Sequence, residues 1–490
     1  MAKRQKKKIL ILTLGAGRKL PNGASAGYTE ASYKFHNEGD VITTAYLAEP
    51  LVSAFRPDMV FVIGTIKSVW LEFYQYFTEK QSEEAELAFC ELDLANGKDV
   101  SAQQLREKAE IVNRIFEGGM DKAPFSRDIR TRAILTRYGM DNEEMLENYQ
   151  LISGISAYME KDTDYEIAFD ITHSFRSLPI YNLIIFNYLR VVSDSTVRIT
   201  HVYYGNFEGS RENQNIAPIL DLQDLIHVMN LTSSVSEFKN TGNCRTLLTQ
   251  LPEGEKDLRE ALEEFDWATQ INSFDKVQEA LGKLLRLTQQ EQREGSRYAD
   301  MRRMIYDVLC RKFLKWDTAE GSPEDMLEGL SMADQRLMTS NWYLKQNRYG
   351  QAVATAYEAL KSYLVPIYLK EVLGKEEVGE SDCMEEGFLS EAIWQLDKVA
   401  ARYCGKRTEE LSETERLFVH LQENKDKARR IRNRFAHNLT EGERGRTRRM
   451  KPEDEKECIR GLIKDIEALR DKIGQNDPEV AEVYALRRKR

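Results

Sequence analysis

The sequence has few cysteines, and none of them stands in a pattern that binds metal or forms a redox pair. Six cysteines are spread over 490 residues, no Cys-x-x-Cys occurs, and no group of Cys and His has the spacing of a zinc site. The thiols are therefore expected to be reduced, as in a cytoplasmic protein. Zinc-finger and disulfide-stapled proteins are disfavoured.

Long apolar runs and an excess of positive charge are missing as well. No stretch approaches the roughly 20 apolar residues of a membrane span, and the apolar run at 9–14 is too short for a signal peptide. With a net charge of −10, the chain has no overall field that collects nucleic acid, so any contact with RNA must be local. The length predicts two or three domains.

The N-terminal half contains short apolar runs, each followed by glycine or polar residues. Four such runs occupy residues 9–14, 59–63, 165–171 and 197–204. Runs that are apolar on both faces indicate strands of a parallel sheet buried between helix layers. The stretches at 101–116 and 180–192 are long enough for crossover helices. Residues 1–230 are therefore predicted to form a doubly wound, Rossmann-like α/β domain.

Ligands of such folds bind beyond the carboxyl ends of the strands. Three of the predicted strands end in residues that suit a phosphate-bearing ligand, because glycines permit close backbone approach and Thr, Ser, His and Arg add donors. The candidate ligand-binding residues are Leu14, Gly15, Ala16, Gly17, Arg18, Gly64, Thr65, Ser68, Asp170, Thr172, His173, Ser174, Phe175 and Arg176. A nicotinamide dehydrogenase is disfavoured, since Gly15-Ala16-Gly17 lacks the third glycine of the dinucleotide fingerprint.

Asp170 and His173 admit two interpretations. They could form a catalytic pair, but side chains three residues apart at a strand end point to opposite faces, which favours ligand binding over chemistry. The sequence Asp-Ile-Thr-His-Ser-Phe-Arg-Ser-Leu-Pro at 170–179 resembles the D-x-T-H-G signature of CARF proteins, the Rossmann-like sensors of cyclic oligoadenylates in type III CRISPR systems. Ser174 departs from the signature, which has glycine there.

The first two loops fit the same resemblance. Residues 14–18 are similar to the family's first ligand-binding loop, and Gly64-Thr65 with Ser68 and Trp70 to its second. The resemblance implies a homodimer, or a higher homo-oligomer, whose two sheets together hold one symmetric cyclic oligoadenylate, usually cyclic tetra-adenylate. The ring would be an allosteric activator, and no cofactor is implied.

Residues 231–335 are helical in pattern and highly charged, and they are predicted to be a helical connector, although a small extra helical module is the alternative. Ser322 suits a helix N-cap, with Pro323 in the first turn and Asp325 at the third position. No chemistry stands out in this part of the chain.

Residues 336–490 are predicted to form an all-α bundle. Helical spacing occurs at 341–369, where Pro366 should kink or end the helix, and at 387–401, 413–438 and 452–474. In the third of these, one predicted core face carries Leu417, Leu421, Ala428, Ile431 and Phe435. Asn433 and His437 are four residues apart on the opposite side, and Arg432 lies at the boundary, about 140° from His437.

Arg432, Asn433 and His437 resemble the R-x-x-x-x-H motif of HEPN ribonucleases, and the segment Asn-Trp-Tyr-Leu-Lys-Gln-Asn-Arg-Tyr-Gly-Gln-Ala at 341–352 is similar to that family's opening helices. The order, CARF and then HEPN, is itself characteristic. The resemblance implies an endoribonuclease of antiviral defence that cuts single-stranded RNA.

Metal-free RNA cleavage needs a base, an acid and a group that stabilises charge on phosphorus. The motif of one chain offers a single Arg and a single His, so we expect a composite site across a two-fold dimer. No Asp-x-Asp or His-x-His stands in the C-terminal third, and no metal is expected.

Three alternatives stay open: a ligand-responsive regulator without nuclease activity, a HEPN fold used for assembly alone, and slow cleavage of the activator by the sensor domain itself.

Overall fold

The computed structural model describes residues 5–17, 27–35, 39–79, 82–94, 100–126, 128–173, 184, 187–188, 196–289, 299–314, 322–379, 382, 385–437 and 451–486. The chain divides into two compact units, Met1–Val228 and Met229–Arg490. Within the described residues, no helix combines the length and the apolar character needed to cross a membrane.

The described part of the first unit contains one mixed sheet of eight strands. Their order across the sheet is β3-β2-β8-β7-β6-β1-β4-β5. The pairs β2–β3 and β7–β8 are antiparallel, and the other neighbours are parallel. The strands are β1 (Gln5–Leu14), β2 (Ala31–Phe35), β3 (Ile42–Thr44), β4 (Met59–Thr65), β5 (Arg130–Thr136), β6 (Thr163–Asp170), β7 (Val197–Gly205) and β8 (Ile216–Asp221).

Strand β1 shows why the sheet needs helices on both faces. Leu10, Leu12 and Leu14 belong to one hydrophobic cluster, whereas Ile9 and Ile11 belong to another on the opposite face. Because alternate residues of a strand point to opposite faces, a run that is apolar throughout is buried on both. The Rossmann-like prediction is therefore confirmed. The four predicted strands, β1, β4, β6 and β7, are parallel neighbours, and the antiparallel pairs each include a strand that was not predicted.

Helices connect these strands: α1 (Ala48–Phe55), α2 (Trp70–Tyr76), α3 (Glu83–Leu94), α4 (Ala102–Gly119) and α5 (Asn142–Ser153). The crossover helix expected at 101–116 is α4, and Ser101 and Gln104 form a reciprocal capping box at its start. The helix expected at 180–192 lies almost entirely outside the described residues, of which only 184 and 187–188 fall in that range.

The second unit is helical, and the boundary between the units falls within α6. The helices are α6 (Gln223–Thr241), α7 (Arg245–Gln250), α8 (Lys256–Gln270), α9 (Phe274–Gln289), α10 (Ala299–Val308), α11 (Pro323–Gly329), α12 (Met332–Lys345), α13 (Tyr349–Ile367), α14 (Glu386–Tyr403), α15 (Glu413–His437), α16 (Pro452–Gly474) and α17 (Pro478–Tyr484). One hydrophobic cluster runs from Leu231 to Tyr484. The boundary at 335 between connector and effector stays a prediction.

Local signals for helix ends agree with the structure at α11. The Ser322 hydroxyl accepts a hydrogen bond of 3.0 Å from the Asp325 amide, and Pro323 opens the helix. The single helix predicted over 341–369 was wrong, because the chain turns between α12 and α13. Asn347 adopts φ 58° there, a left-handed conformation that asparagine tolerates at a helix end. Pro366 falls in the last turn of α13.

Candidate functional site

A cavity of about 460 Å³ lies at the carboxyl ends of the central strands of the first unit. Gly17 follows β1, Thr172 and His173 follow β6, and Tyr204 and Gly205 end β7. The remaining lining residues are Gly27, Tyr28, Thr29, Tyr33, Phe207 and Glu208. The cavity therefore lies where ligands of open α/β sheets bind, and Gly17, Thr172 and His173 of the predicted set line it.

His173 and Tyr28 form the wall of this cavity. Their rings stack with centroids 4.1 Å apart, and the Tyr28 hydroxyl accepts a hydrogen bond of 2.6 Å from the Gly15 amide. Burial lowers the pKa of His173 to about 4, so the imidazole is neutral near pH 7. Its Nε2 is buried and has no hydrogen-bond partner among the described residues. Since buried polar atoms are normally paired, a ligand is the natural partner for this nitrogen.

Gly15 is required by packing at the same place. A Cβ at this position would lie 2.9 Å from the carbonyl oxygen of His173 and 3.3 Å from the Tyr28 hydroxyl. The first predicted loop thus packs, through Gly15, against both residues of the stacked pair. Leu14 is buried in the core and Ala16 is partly exposed, whereas Arg18 lies outside the described residues.

Asp170 acts behind the cavity and does not line it. Its carboxylate is buried and accepts a hydrogen bond of 2.9 Å from the Thr172 amide. Burial raises its pKa to about 6, and the hydrogen bonds from Thr172 oppose this rise. The Thr172 hydroxyl in turn accepts a bond of 2.8 Å from the Gly205 amide, so the ends of β6 and β7 are tied together. Ser174, Phe175 and Arg176 lie outside the described residues.

The second predicted loop is buried and does not line the cavity. The Ser68 hydroxyl donates to the Leu14 carbonyl over 2.6 Å and accepts from the Thr65 amide over 3.0 Å. A Cβ at Gly64 would lie 2.7 Å from that hydroxyl. These polar groups join β1 to β4, and any part they play toward a ligand stays a prediction.

Sequence reasoning missed most of the cavity wall. Tyr28, Tyr33, Phe207 and Glu208 stand in loops or on a short strand that no apolar pattern marked. Tyr204 could have been predicted, because it ends the fourth predicted strand and ligands of such folds bind beyond the carboxyl ends of the strands.

Arg432 lies on α15 in the second unit, in a pocket of about 400 Å³. Its guanidinium carbon is 4.7 Å from the centre of the Tyr357 ring, and its Nη1 is 3.6 Å from Glu358 Oε1. Glu358 also accepts a hydrogen bond of 2.9 Å from Lys361, which offsets its charge. Burial raises the pKa of the Tyr357 phenol, so the ring beneath the guanidinium is neutral. The Arg432 side chain is 32% exposed and accessible to an anion.

The two other predicted catalytic residues are on the same helix. Asn433 is half-buried, and His437 is the last residue of α15, with its side chain outside the described part of the chain. Leu417, Leu421, Ala428 and Ile431 are buried as predicted. Phe435 was wrongly predicted as core. It is 54% exposed and lines the pocket with Arg432, because the buried stripe of α15 ends at Ile431. Among the described side chains, no group of three His, Cys, Asp or Glu residues could hold a metal ion.

The first unit is thus a Rossmann-like domain with a cavity where ligands of such folds bind. Residues 9–208 match the family model of the CARF domain of the CRISPR system endoribonuclease Csx1. Residues 227–315 match the model of the second domain of CRISPR-associated protein MJ1674. Residues 9–208 are therefore similar to a CARF domain, and both matching models come from CRISPR-associated proteins.

A curated relative and a solved structure add to these matches. The CRISPR-associated protein MJ1674 of Methanocaldococcus jannaschii is 26% identical over 294 residues, which is 59% of this chain and 45% of the relative. The match thus spans a little under half of the relative's length. Enterococcus italicus Csm6, bound to cyclic hexa-2′-fluoro-hexa-dAMP, covers 98% of this chain and 100% of its own, with 10% identity and a TM-score of 0.33.

Proposed function

We propose that this chain is an endoribonuclease of type III CRISPR antiviral defence that cyclic oligoadenylate activates. The observation that carries the proposal is the Arg432 guanidinium, which lies accessible in a pocket on the helix that ends at His437, in a chain whose N-terminal unit is a CARF domain. The substrate is single-stranded RNA, and the enzyme works in the cytoplasm as a homodimer or a higher homo-oligomer.

The activator binds in the cavity of the CARF domain. The rings of Tyr28, Tyr33 and Phe207 suit the faces of adenine bases, and Nε2 of His173 supplies a hydrogen-bonding atom. Cyclic tetra-adenylate is the ring that we expect. Gly17 lets the backbone approach the ligand, since its φ of 64° and its close neighbours exclude a side chain.

The chemistry follows from a guanidinium and an imidazole. The 2′-hydroxyl of one nucleotide attacks the adjacent phosphorus in line, and the 5′-oxygen leaves. Arg432 holds the non-bridging phosphate oxygens and stabilises the charge that develops on them. His437 transfers a proton or holds the 2′-hydroxyl, and Asn433 orients one of these two groups. The products carry a 2′,3′-cyclic phosphate and a 5′-hydroxyl, and no metal takes part.

One copy of Arg432 and His437 supplies too few groups for base, acid and charge stabilisation. Two copies related by a two-fold axis supply them across a shared cleft. Activation is then a coupling between sites, in which the ring changes the mutual orientation of the two α15 helices.

A cleavage assay with end-labelled single-stranded RNA tests the proposal. We expect cleavage with EDTA present, stimulated by cyclic tetra-adenylate and much less by cyclic hexa-adenylate, with 2′,3′-cyclic phosphate ends. Binding of either ring without RNA cleavage would instead identify a ligand-responsive regulator. Cleavage at the same rate with and without every ring would contradict activation.

A further inference from the structure

The pocket beside Arg432 extends well past that residue, and its other lining residues have no part in the chemistry above. Three of its lining residues are Arg336 on α12, Glu358 on α13 and Phe435 on α15. From these residues we infer that the pocket is a nucleotide subsite, in which Arg336 holds a phosphodiester of the RNA strand and Phe435 stacks on the neighbouring base. The inference rests on the proposed function, because it concerns the strand that Arg432 and His437 cut.

Arg336 is positioned to contact a phosphate near Arg432. Its Nη1 donates a hydrogen bond of 2.6 Å to the Ser362 hydroxyl, and its guanidinium carbon is 5.3 Å from the centre of the Phe274 ring. Ser362 follows Glu358 by four residues on α13, so the two arginines contact residues that lie about 6 Å apart along this helix. Two guanidiniums that line one pocket suit the oxygens of a phosphodiester.

The charge balance of the pocket favours an anion. Glu358 is its one acidic lining residue within the described part of the chain, and Lys361 donates to that carboxylate over 2.9 Å. Arg336 and Arg432 therefore leave a local positive charge in a chain whose net charge is −10. In an acidic chain, positive charge attracts a nucleic-acid backbone only where several basic side chains lie together, as they do in this pocket.

Phe435 is an exposed but supported ring. A Cβ at Gly350 of α13 would lie 2.2 Å from Phe435 Cδ2, so the ring packs directly on that glycine. More than half of the side chain remains open to solvent. A ring held in place on one side and open on the other is the platform on which proteins stack bases of single strands. A volume of about 400 Å³ suits one nucleotide, whereas a partner protein needs a broad surface.

The test measures binding of a 2′-O-methyl oligoribonucleotide, which lacks the attacking hydroxyl, to the full chain saturated with cyclic tetra-adenylate. Fluorescence anisotropy gives Kd at several salt concentrations. We expect Phe435→Ala to weaken binding at least about fivefold with an unchanged salt slope, and Phe435→Trp to restore it. Arg336→Ala should weaken binding and make the slope of log K against log salt shallower by about 0.7, and Arg336→Lys should restore the slope.

Gly350→Ala supplies an independent variant. It adds a helix-favouring residue to α13 but displaces the Phe435 ring, so it should weaken binding as Phe435→Ala does. Gly282→Ala in α9 is its control, because the nearest atom to the new Cβ is a flexible Arg286 nitrogen at 3.6 Å. Arg303→Ala is the control for Arg336→Ala, and Leu373→Ala is the control for Phe435→Ala. Both control residues are exposed, and neither lines the pocket.

Several outcomes would overturn the subsite. The first is Kd values for Arg336→Ala and Phe435→Ala within twofold of their controls, and the second is a wild-type chain that does not bind the strand. A third is loss of the dimer in Phe435→Ala, measured by sedimentation, which would make the ring part of a subunit interface. Failure of the proposed function is a separate result, namely that wild type does not cut unmodified RNA while it still binds the methylated strand.

Discussion

The cavity of the first unit and the pocket beside Arg432 differ in what lines them. Rings, backbone and one neutral imidazole line the cavity, and the single charged residue among its described lining is Glu208. The pocket on α15 is lined by two arginines and an acidic residue that has a lysine partner. The first site is built at buried strand ends, whereas the second lies on the surface of packed helices.

This difference separates two kinds of recognition. Burial at the strand ends lowers the pKa of His173 to about 4, so this cavity wall is neutral near pH 7, and it raises the pKa of Asp170 behind the cavity to about 6. Exposed guanidiniums attract any anionic strand and discriminate weakly. The function proposed for this chain, a sensor of one small ring joined to a nuclease for many RNA sequences, would require these two designs.

The largest expected effect concerns the pocket. Arg432→Ala and His437→Ala should each lower the rate of RNA cleavage at least about 100-fold, because each removes a group that acts on the reacting phosphate or its protons. Binding of cyclic tetra-adenylate, measured by calorimetry, should be unchanged. Arg460→Ala is the control, since this arginine is exposed on α16 and far from the pocket lining. Substantial cleavage by His437→Ala would remove that residue from the mechanism.

The second effect concerns the cavity and should leave the pocket intact. Gly15→Ala places a Cβ 2.9 Å from the His173 carbonyl oxygen, so the stack of Tyr28 on His173 must shift. We expect affinity for cyclic tetra-adenylate to fall about tenfold, in line with the cost of overpacking. The activator concentration for half-maximal cleavage should rise by the same factor, while cleavage at saturation is retained.

The control for this variant is Gly154→Ala, where no atom lies within 4 Å of the new Cβ. Equal activator affinity in Gly15→Ala and Gly154→Ala would show that the stacked pair is not part of the ligand site. A loss of maximal cleavage without a loss of affinity would show that the glycine acts in coupling.

The sequence was sufficient for those parts of the fold in which burial leaves a periodic signal. The strands β1, β4, β6 and β7 were predicted because each contains a short run rich in apolar residues. The strands β2, β3, β5 and β8 were not, since they are short or carry polar residues, as Arg130 and Arg132 do in β5. Periodicity likewise predicted the buried stripe of α15, but not that it ends at Ile431 and leaves Phe435 exposed.

The candidate sites were predictable to the extent that they are local in sequence. Arg432 and His437 stand five residues apart in one helix, and the residues around Gly15 and His173 follow apolar runs. The contact between Tyr28 and His173 joins residues 145 positions apart, and that of Arg336 with the Arg432 pocket joins separate helices. Such contacts arise only from tertiary packing, so no local pattern indicates them.

A smaller effect tests the burial of Asp170. Its pKa rises from an ordinary value of 3.8 to about 6, so the folded state favours the protonated carboxyl. The resulting stability is present below pH 3.8 and is lost as the pH rises through 6. Asp170→Asn keeps the acceptor for the Thr172 amide and removes the charge. It should raise the free energy of unfolding by up to about 3 kcal/mol at pH 7.5 and change it little near pH 3.5.

Calorimetry of the full chain across this pH range measures the effect, with Asp128→Asn at an exposed carboxyl as control. His173 works in the opposite direction, because its lowered pKa costs stability as the pH falls from 6.5 toward 4. Only the difference between Asp170→Asn and wild type therefore isolates Asp170. A difference in unfolding free energy between Asp170→Asn and wild type that does not depend on pH would contradict a raised pKa at Asp170.

The smallest expected effect is that of removing divalent metal. A guanidinium already supplies the positive charge that a metal would place on the phosphate, and an imidazole supplies proton transfer, so neither step proposed for Arg432 and His437 calls for a metal. The rate of RNA cleavage by the activated chain should change less than twofold when about 10 mM EDTA replaces Mg²⁺. Ionic strength is matched between the two buffers, because salt screens the contacts between arginine and phosphate. A metal-dependent nuclease in the same buffers is the control. Loss of cleavage with EDTA and its recovery with Mg²⁺ would mean that the pocket beside Arg432 lacks a group the reaction needs. The contrast between the cavity of the first unit and a cationic pocket that is sufficient for catalysis would then no longer hold.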